Sequence, residues 1–149
     1  MKTKGEQFNP DAVYGTMTDP RDNKTYRTVE NEGRIWMAEN LNYAGNEVGE
    51  SSCYGNDDAL CEIYGRLYTR EAAMNSTTCG TYEFCDVGKA PVQGVCPEKW
   101  HIPSETETQD LVDLVETSFL ELTSAKGWGN DTLAVAGEDI WTLLCCCRI

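Results

Sequence analysis

The residues of this chain with the clearest chemistry are its eight cysteines. They lie at Cys53, Cys61, Cys79, Cys85, Cys96, Cys145, Cys146 and Cys147. In an oxidising compartment, dispersed cysteines form disulfides that stabilise loops by restricting the unfolded chain. In a reducing compartment they more often bind zinc as thiolates, but the separated pairs here do not have the short spacings typical of zinc sites. The pattern therefore favours disulfides, with zinc binding and free thiols as the alternatives.

The spacing favours two local bridges. Cys53 and Cys61 enclose seven residues, including Gly55 and Asn56, which form a loop flexible enough to close. We predict a bridge there and a second, less strongly indicated one between Cys79 and Cys85. Because eight cysteines allow many connectivities, the remaining partners stay open at this point. A buried free thiol or a link between two chains are the alternatives for the rest.

Three acidic side chains lie beside the first of these loops, at Asp57, Asp58 and Glu62. Carboxylate oxygens are hard ligands that suit calcium. The three residues do not match the acidic loop of an EF-hand, so a solvated acidic loop is the favoured interpretation. Calcium at these residues is the alternative, and no other cofactor is predicted.

His101 is the single histidine of the chain and invites a catalytic interpretation. Acid–base catalysis requires a partner within hydrogen-bond reach, which a sequence does not show. Between Trp100 and Ile102, just before a helix, a structural imidazole is the favoured interpretation. The sequence also contains no nucleophile elbow, Walker loop, zinc-protease motif or dinucleotide fingerprint. We therefore expect a protein without catalytic residues.

Several aromatic side chains offer flat faces on which a sugar ring could stack. They are Trp36, Trp100, Trp128, Tyr64 and Tyr68. Because they fall in predicted strands and turns, packing in the core is the favoured role.

The first half of the chain reads as turns and short strands. Residues 19–24 have turn chemistry, with two aspartates and a proline. A β-hairpin is predicted at 24–39, with its turn at Asn31, Glu32 and Gly33. Residues 40–58 have the composition of a loop, and a short strand is predicted at 63–68.

Two helices are predicted after that strand. Thr69 is placed to cap a helix that runs through Met74. Ser104 and Glu107 form a capping box before a helix at 105–121, whose apolar residues recur at spacings of three and four. Between the helices, residues 75–95 are predicted to be an irregular loop.

The composition excludes several classes of function. The 149 residues include 12 basic and 25 acidic side chains, for a net charge of −13. This balance argues against nucleic acid as a partner and disfavours anionic lipid surfaces. No apolar run approaches the roughly 18 residues of a membrane-spanning helix, and the first residues contain no signal-peptide apolar core.

Three ordered strings resemble a known family. They are RIWMAENLNY at 34–43, YGRLYT at 64–69 and GVCPEKWHIPS at 94–104, and CYGND at 53–57 precedes Cys61 between the first two. Over about 18–128 they resemble the Fibrobacter succinogenes major paralogous domain. The resemblance implies a secreted or surface lipoprotein-like protein of a paralogous bacterial family, with a fold similar to C-type lectin-like domains. It implies no enzymatic activity.

The chain departs from the family pattern at a few positions and at its end. Arg70, Lys99 and Thr108 stand where the family has tryptophan, glycine and tryptophan. After Trp128 the family continues through further strands to a late cysteine, whereas this chain ends within about twenty residues. The resemblance therefore implies a C-terminal truncation that removes strands of the sheet. It also implies that Cys96 pairs with a late cysteine, for which the triple-cysteine end is the available substitute.

A short segment after the predicted helix is faintly similar to the calcium-binding strand of C-type lectins. It supplies a weakly indicated ligand-binding set, Trp128, Asn130 and Asp131.

The sequence thus predicts an α+β, C-type lectin-like domain with a small antiparallel sheet, two helices and disulfide-stapled loops. A lead-in at 1–17 precedes the domain at 18–128, and a divergent tail follows at 129–149. We expect a non-catalytic recognition or adhesion module outside the cell or on its outer surface, with polysaccharide or a cell-surface protein as partner. The alternatives are a structural surface component without a small ligand and a thiol-dependent enzyme on a lectin-like fold.

Overall fold

The computed structural model describes residues 4, 8, 10–76, 91–117, 142–143 and 147–148. In these residues it is an α+β structure with two antiparallel sheets and three α-helices. The elements are β1 (Gly15–Thr18), β2 (Thr25–Asn31), β3 (Arg34–Met37), β4 (Ser51–Ser52), α1 (Asp58–Tyr64), β5 (Leu67–Tyr68), α2 (Arg70–Met74), α3 (Glu105–Thr117), β6 (Thr142–Leu143) and β7 (Cys147–Arg148). None of these helices has the length and apolar character needed to cross a membrane.

The predicted hairpin is confirmed as β2 and β3. Asn31 pairs with Arg34 across a two-residue turn. Glu32 and Gly33 both have positive φ, at 48° and 77°. Two successive left-handed residues give a turn whose twist matches that of the strands, which explains why glycine follows glutamate here.

The hairpin lies in the middle of the first sheet, whose strand order is β1-β2-β3-β7. β1 falls largely within the predicted lead-in at 1–17, yet Gly15 to Thr18 pair with Thr28 to Thr25. The second sheet has the order β4-β5-β6. The structure therefore uses the end of the lead-in as a sheet strand.

The C-terminal tail also contributes strands. Thr142 and Leu143 pair with Tyr68 and Leu67. Cys147 and Arg148 pair with Trp36 and Ile35. The tail therefore supplies one edge of each sheet, and the truncation that the resemblance implies stays a prediction.

The prediction around residues 58–68 is wrong in part. In place of a loop followed by a strand from Ile63, the chain forms helix α1 and then a strand of two residues, β5. Asp57 caps the helix, because its carboxylate accepts a hydrogen bond from the Ala59 N–H at 2.9 Å. The cap and the burial of Cys61 outweigh the strand preference of Ile63 and Tyr64.

The other two helices begin where they are predicted. The Thr69 hydroxyl accepts a hydrogen bond from the Ala72 N–H at the start of α2. At the start of α3, the Ser104 hydroxyl accepts from the Glu107 N–H, and the Glu107 carboxylate accepts from the Ser104 N–H at 2.8 Å. α3 is described as far as Thr117, so its predicted end at 121 lies outside the described residues.

The main core contains two buried tyrosines whose hydroxyl groups form hydrogen bonds with the backbone. The Tyr26 hydroxyl accepts a hydrogen bond from the Asn42 N–H at 3.0 Å, and the Tyr68 hydroxyl bonds both the N–H and the C=O of Tyr43 at 2.9 Å. Burial raises the pKa of both phenols well above the usual value of 10, so they stay protonated. The rest of this core includes Ala72, Ala73, Val95, Cys96 and Trp100.

Candidate functional site

A cavity of about 490 Å³ opens between the end of α2 and the chain that leads to α3. Its described lining residues are Met74, Asn75, Ser76, Pro91, Val92, Gln93 and Gly94. We call it the amide cavity, after Asn75 and Gln93. None of these seven residues carries an ionisable side chain, in a chain with a net charge of −13. The volume is in the range of small-ligand sites.

The two walls of the amide cavity are held together by backbone hydrogen bonds. The Val95 N–H donates to the Ala73 carbonyl at 2.9 Å, which ties the second wall to α2. The Ile102 N–H donates to the Val92 carbonyl at 2.8 Å and forms an isolated bridge there. The cavity therefore has a fixed frame, which reduces the entropy lost when a ligand binds.

The two amide side chains are positioned differently. Asn75 ends α2 in the left-handed conformation, with φ of 50°, which asparagine adopts more readily than most residues. Gln93 is anchored at one end, because its Nε2 donates to the Cys96 carbonyl at 3.2 Å. Among the described residues, neither the oxygen of Gln93 nor the side-chain amide of Asn75 has a hydrogen-bond partner. These are the polar groups with which a ligand can exchange hydrogen bonds.

Disulfide-bonded cysteines occur before and after α2 in the sequence. Cys53 and Cys61 form the predicted bridge. Cys96 is fully buried and also disulfide-bonded, which excludes the alternative of a free thiol at this position. Its partner cysteine lies outside the described side chains, so its predicted pairing with the C-terminal cysteines stays a prediction. Cys79, Cys85, Cys145 and Cys146 lie outside the described residues, and for Cys147 the description is limited to the backbone of β7.

The bridge closes an exposed loop at 53–61, which we call the Tyr54 loop. Tyr54 is 68% exposed and is followed by Gly55 and Asn56, both with positive φ. Arg66 lies behind the bridge, with its Nη1 3.6 Å from the Cys53 sulfur and 3.7 Å from the Cys61 sulfur. The loop is thus a rigid, exposed surface beside the second sheet.

Two of the three acidic residues considered as calcium ligands have other partners. Asp57 is occupied as the cap of α1, and Glu62 accepts a hydrogen bond from the Asn42 side chain at 3.0 Å and lies 3.8 Å from the Lys24 ammonium. Asp58 is exposed in the first turn of α1. Within the described ranges, no group of three or more His, Cys, Asp or Glu side chains could hold a metal ion. The calcium interpretation of these three residues is therefore not supported.

His101 has the carboxylate partner that its sequence context did not reveal. Its Nε2 lies 3.1 Å and 3.2 Å from the two Glu107 oxygens, and both residues are buried. Arg34 from β3 also approaches Glu107, at 3.5 Å. Because the same carboxylate completes the capping box with Ser104, Glu107 joins the hairpin, the loop at His101 and α3. This geometry supports the structural interpretation of the histidine.

The Glu107 carboxylate makes the stability of the domain depend on pH. Burial alone would raise its pKa, but hydrogen bonds from the Ser104 backbone, His101 and the Ser104 hydroxyl outweigh burial and hold the pKa below 4.5. The stabilisation that the ionised Glu107 carboxylate provides is therefore fully present above pH 4.5 and is lost as the pH falls through its folded-state pKa. We expect Glu107→Gln to lower the free energy of unfolding by about 1–2 kcal/mol at neutral pH and much less in acid.

Urea unfolding at neutral and acidic pH checks this prediction. Glu98→Gln is the matched control, because Glu98 is exposed and the change removes the same charge. We expect it to stay within about 0.5 kcal/mol of the wild type at both pH values. An equal loss for Glu107→Gln at both pH values would contradict the assignment.

Most of the described aromatic side chains that could form a sugar-stacking platform lie in the core. Trp36, Trp100 and Tyr68 are buried in the core, as the favoured interpretation has it, and Tyr64 is 41% exposed. The weakly indicated set Trp128, Asn130 and Asp131 lies outside the described residues. Sequence reasoning missed Asn75 and Gln93 because their cavity depends on contacts between segments. A helix-ending asparagine was the local signal available for one of them.

The comparisons with known proteins give one match. No curated protein and no solved structure matches the chain. The model of the Fibrobacter succinogenes major domain matches residues 29–141, about three quarters of the chain and thirteen residues beyond the domain end predicted at 128. The match covers the hairpin turn, the Tyr54 loop, both walls of the amide cavity and α3. The chain belongs to the Fibrobacter succinogenes major domain family.

Proposed function

We propose that this domain is a non-catalytic recognition or adhesion module, on a C-type lectin-like fold, that binds a neutral polysaccharide. The observation that carries the proposal is the amide cavity, whose described lining combines two amides and a hydroxyl with apolar side chains and has no ionisable group. Neutral sugars offer hydroxyl groups that exchange hydrogen bonds with amides, and C–H faces that contact apolar side chains. The net charge of −13 disfavours anionic polymers.

The disulfides support a location outside the cell or on its outer surface. Structural disulfides persist in oxidising compartments and are rare in the cytosol. Cys53, Cys61 and Cys96 are buried and bridged, which is the pattern of structural rather than catalytic cysteines. These three cysteines do not supply the exposed reactive thiol that a thiol-dependent enzyme on this fold requires.

A structural surface component without a small ligand is the second candidate. It is favoured by the burial of Trp36, Trp100 and His101, which places these side chains in packing and ion pairing. This candidate has the same fold and location but predicts no saturable binding of sugars.

Affinity gel electrophoresis separates the two candidates. The gels contain hydroxyethylcellulose, mixed-linkage glucan or xyloglucan as neutral polymers, and polygalacturonate as the anionic one. We expect retardation in at least one neutral gel and none in polygalacturonate. Asn75→Gly removes an amide from the cavity and still permits the left-handed backbone, so it should weaken binding about tenfold, which corresponds to ~1.4 kcal/mol.

Asn23→Gly is the matched control for that variant. Asn23 is also left-handed, with φ of 59°, and is exposed, but it is not among the described residues that line the cavity. It should bind like the wild type. Absence of retardation in every neutral gel would favour the structural candidate, and equal retardation of Asn75→Gly and wild type would remove the cavity from the proposal.

A further inference from the structure

β1 is an edge strand whose outer side is open in the described part of the chain. It has one described neighbour, β2, in the order β1-β2-β3-β7. Edge strands present unpaired N–H and C=O groups that can pair with another chain, and proteins usually protect them with charges, prolines or bulges.

The hydrogen bonds of β2 show which groups of β1 face outward. Arg27 of β2 has its carbonyl bonded by the Ala38 N–H at 2.8 Å, so its backbone groups face β3. Its partner in β1 is Thr16, which makes Thr16 and Arg27 a non-hydrogen-bonded pair. The N–H and C=O of Thr16 therefore point away from the sheet, and those of Thr18, two residues later, do the same.

The outer edge is not protected by its side chains. Residues 12–18 read AVYGTMT and contain neither a charge nor a proline, although a quarter of the chain is charged. Thr16 and Thr18 are exposed, and Val13 is 91% exposed just before the strand. An uncharged, β-prone edge of this kind favours strand addition.

We propose that β1 pairs antiparallel with β1 of a second copy, which joins the two four-stranded sheets across a two-fold axis. An antiparallel pairing of identical edges is self-complementary, as a two-fold dimer requires. A second copy presents the same outward N–H and C=O groups on a segment without charges, so the pairing places no charged side chain of residues 12–18 in the contact. Since each copy carries a net charge of −13, salt screens the repulsion and strengthens the dimer.

Sedimentation equilibrium over a concentration series, at low and at high salt, tests the proposal. We expect the mass of the wild type to rise from 16.6 kDa towards twice that value, and to do so at lower concentration in high salt. Thr16→Pro removes the outward N–H without removing a bond to β2, and should stay monomeric. Thr16→Lys, which places like charges across the two-fold axis, should do the same.

Thr108→Lys is the matched control, because it makes the same change at an exposed position of α3. It should dimerise like the wild type or better, since the net charge is reduced. Circular dichroism checks that each variant is folded. If Thr16→Pro does not fold, the result for Thr16→Lys tests the proposal. A wild type that stays monomeric at high salt, or Thr16 variants that dimerise as well as Thr108→Lys, would overturn the proposal.

Discussion

Gly94→Ala is expected to cost about 3 kcal/mol or more of the free energy of unfolding and to abolish ligand binding at the amide cavity. Gly94 has φ of 54°, a conformation that strains any residue with a Cβ. A Cβ at this position would fall onto the Ala73 carbonyl oxygen and would lie 2.5 Å from the Ile102 Cδ1. That carbonyl accepts the hydrogen bond from Val95 that joins the two cavity walls. A shift of Ala73 to make room for the Cβ would therefore weaken this bond.

Urea unfolding of Gly94→Ala beside Gly33→Ala separates the two causes of this loss. Gly33 also has a positive φ, but a Cβ there would meet nothing within 4 Å. We expect Gly33→Ala to lose only about 1–2 kcal/mol, the cost of the backbone conformation alone. Similar losses for the two variants would show that the close approach at Ala73 does not constrain the cavity.

Arg21→Met is expected to destabilise the domain by about 3–5 kcal/mol at neutral pH. Asp19 is fully buried, and Arg21 binds it with two side-chain N–H groups, Nε at 2.9 Å and Nη2 at 2.7 Å. Methionine keeps the apolar stem but leaves the carboxylate buried without its counter-charge. The same guanidinium donates to the Val95 carbonyl at 2.9 Å and lies 3.7 Å from the centre of the Tyr43 ring, so the change also loosens the chain beside the cavity.

The double variant Asp19→Asn with Arg21→Met tests whether the buried charge is the cause. Removing the charge together with its partner avoids the unpaired carboxylate, so the double variant should be more stable than Arg21→Met alone. Thermal and urea unfolding of the wild type, Asp19→Asn, Arg21→Met and the double variant give this comparison. A double variant that loses the sum of both single losses would indicate that packing, and not charge, dominates at this pair.

The features that local sequence determines were predicted correctly. The hairpin needs two left-handed residues between Asn31 and Arg34, and Glu-Gly supplies them. The start of α3 needs an exchange of hydrogen bonds between Ser104 and Glu107, which their spacing alone indicates. Family membership was also predicted, because it rests on ordered strings rather than on contacts.

The features that depend on distant residues were not predicted. β6 pairs with β5 across more than seventy residues, and nothing in the composition of residues 142–143 indicates that pairing. Helix α1 is an exception, because it was missed although its determinants are local. The Asp57 cap and the bridge at Cys61 overrule the strand preference of Ile63 and Tyr64. The amide cavity was missed because it depends on residues that are distant in the sequence. Asn75 and Gln93 are brought to one cavity by the Ala73–Val95 contact.

Side-chain amide NMR of the wild-type protein during titration with cellohexaose and with xyloglucan oligosaccharide tests the central claim most directly. Asparagine and glutamine NH2 groups give their own resonances, so Asn75 and Gln93 report on the amide cavity without any mutation. The account predicts saturable shifts of these two resonances with at least one neutral oligosaccharide, and unchanged resonances for Asn23, which does not line the cavity. Resonances of Asn75 and Gln93 that stay unshifted at saturating oligosaccharide would contradict it.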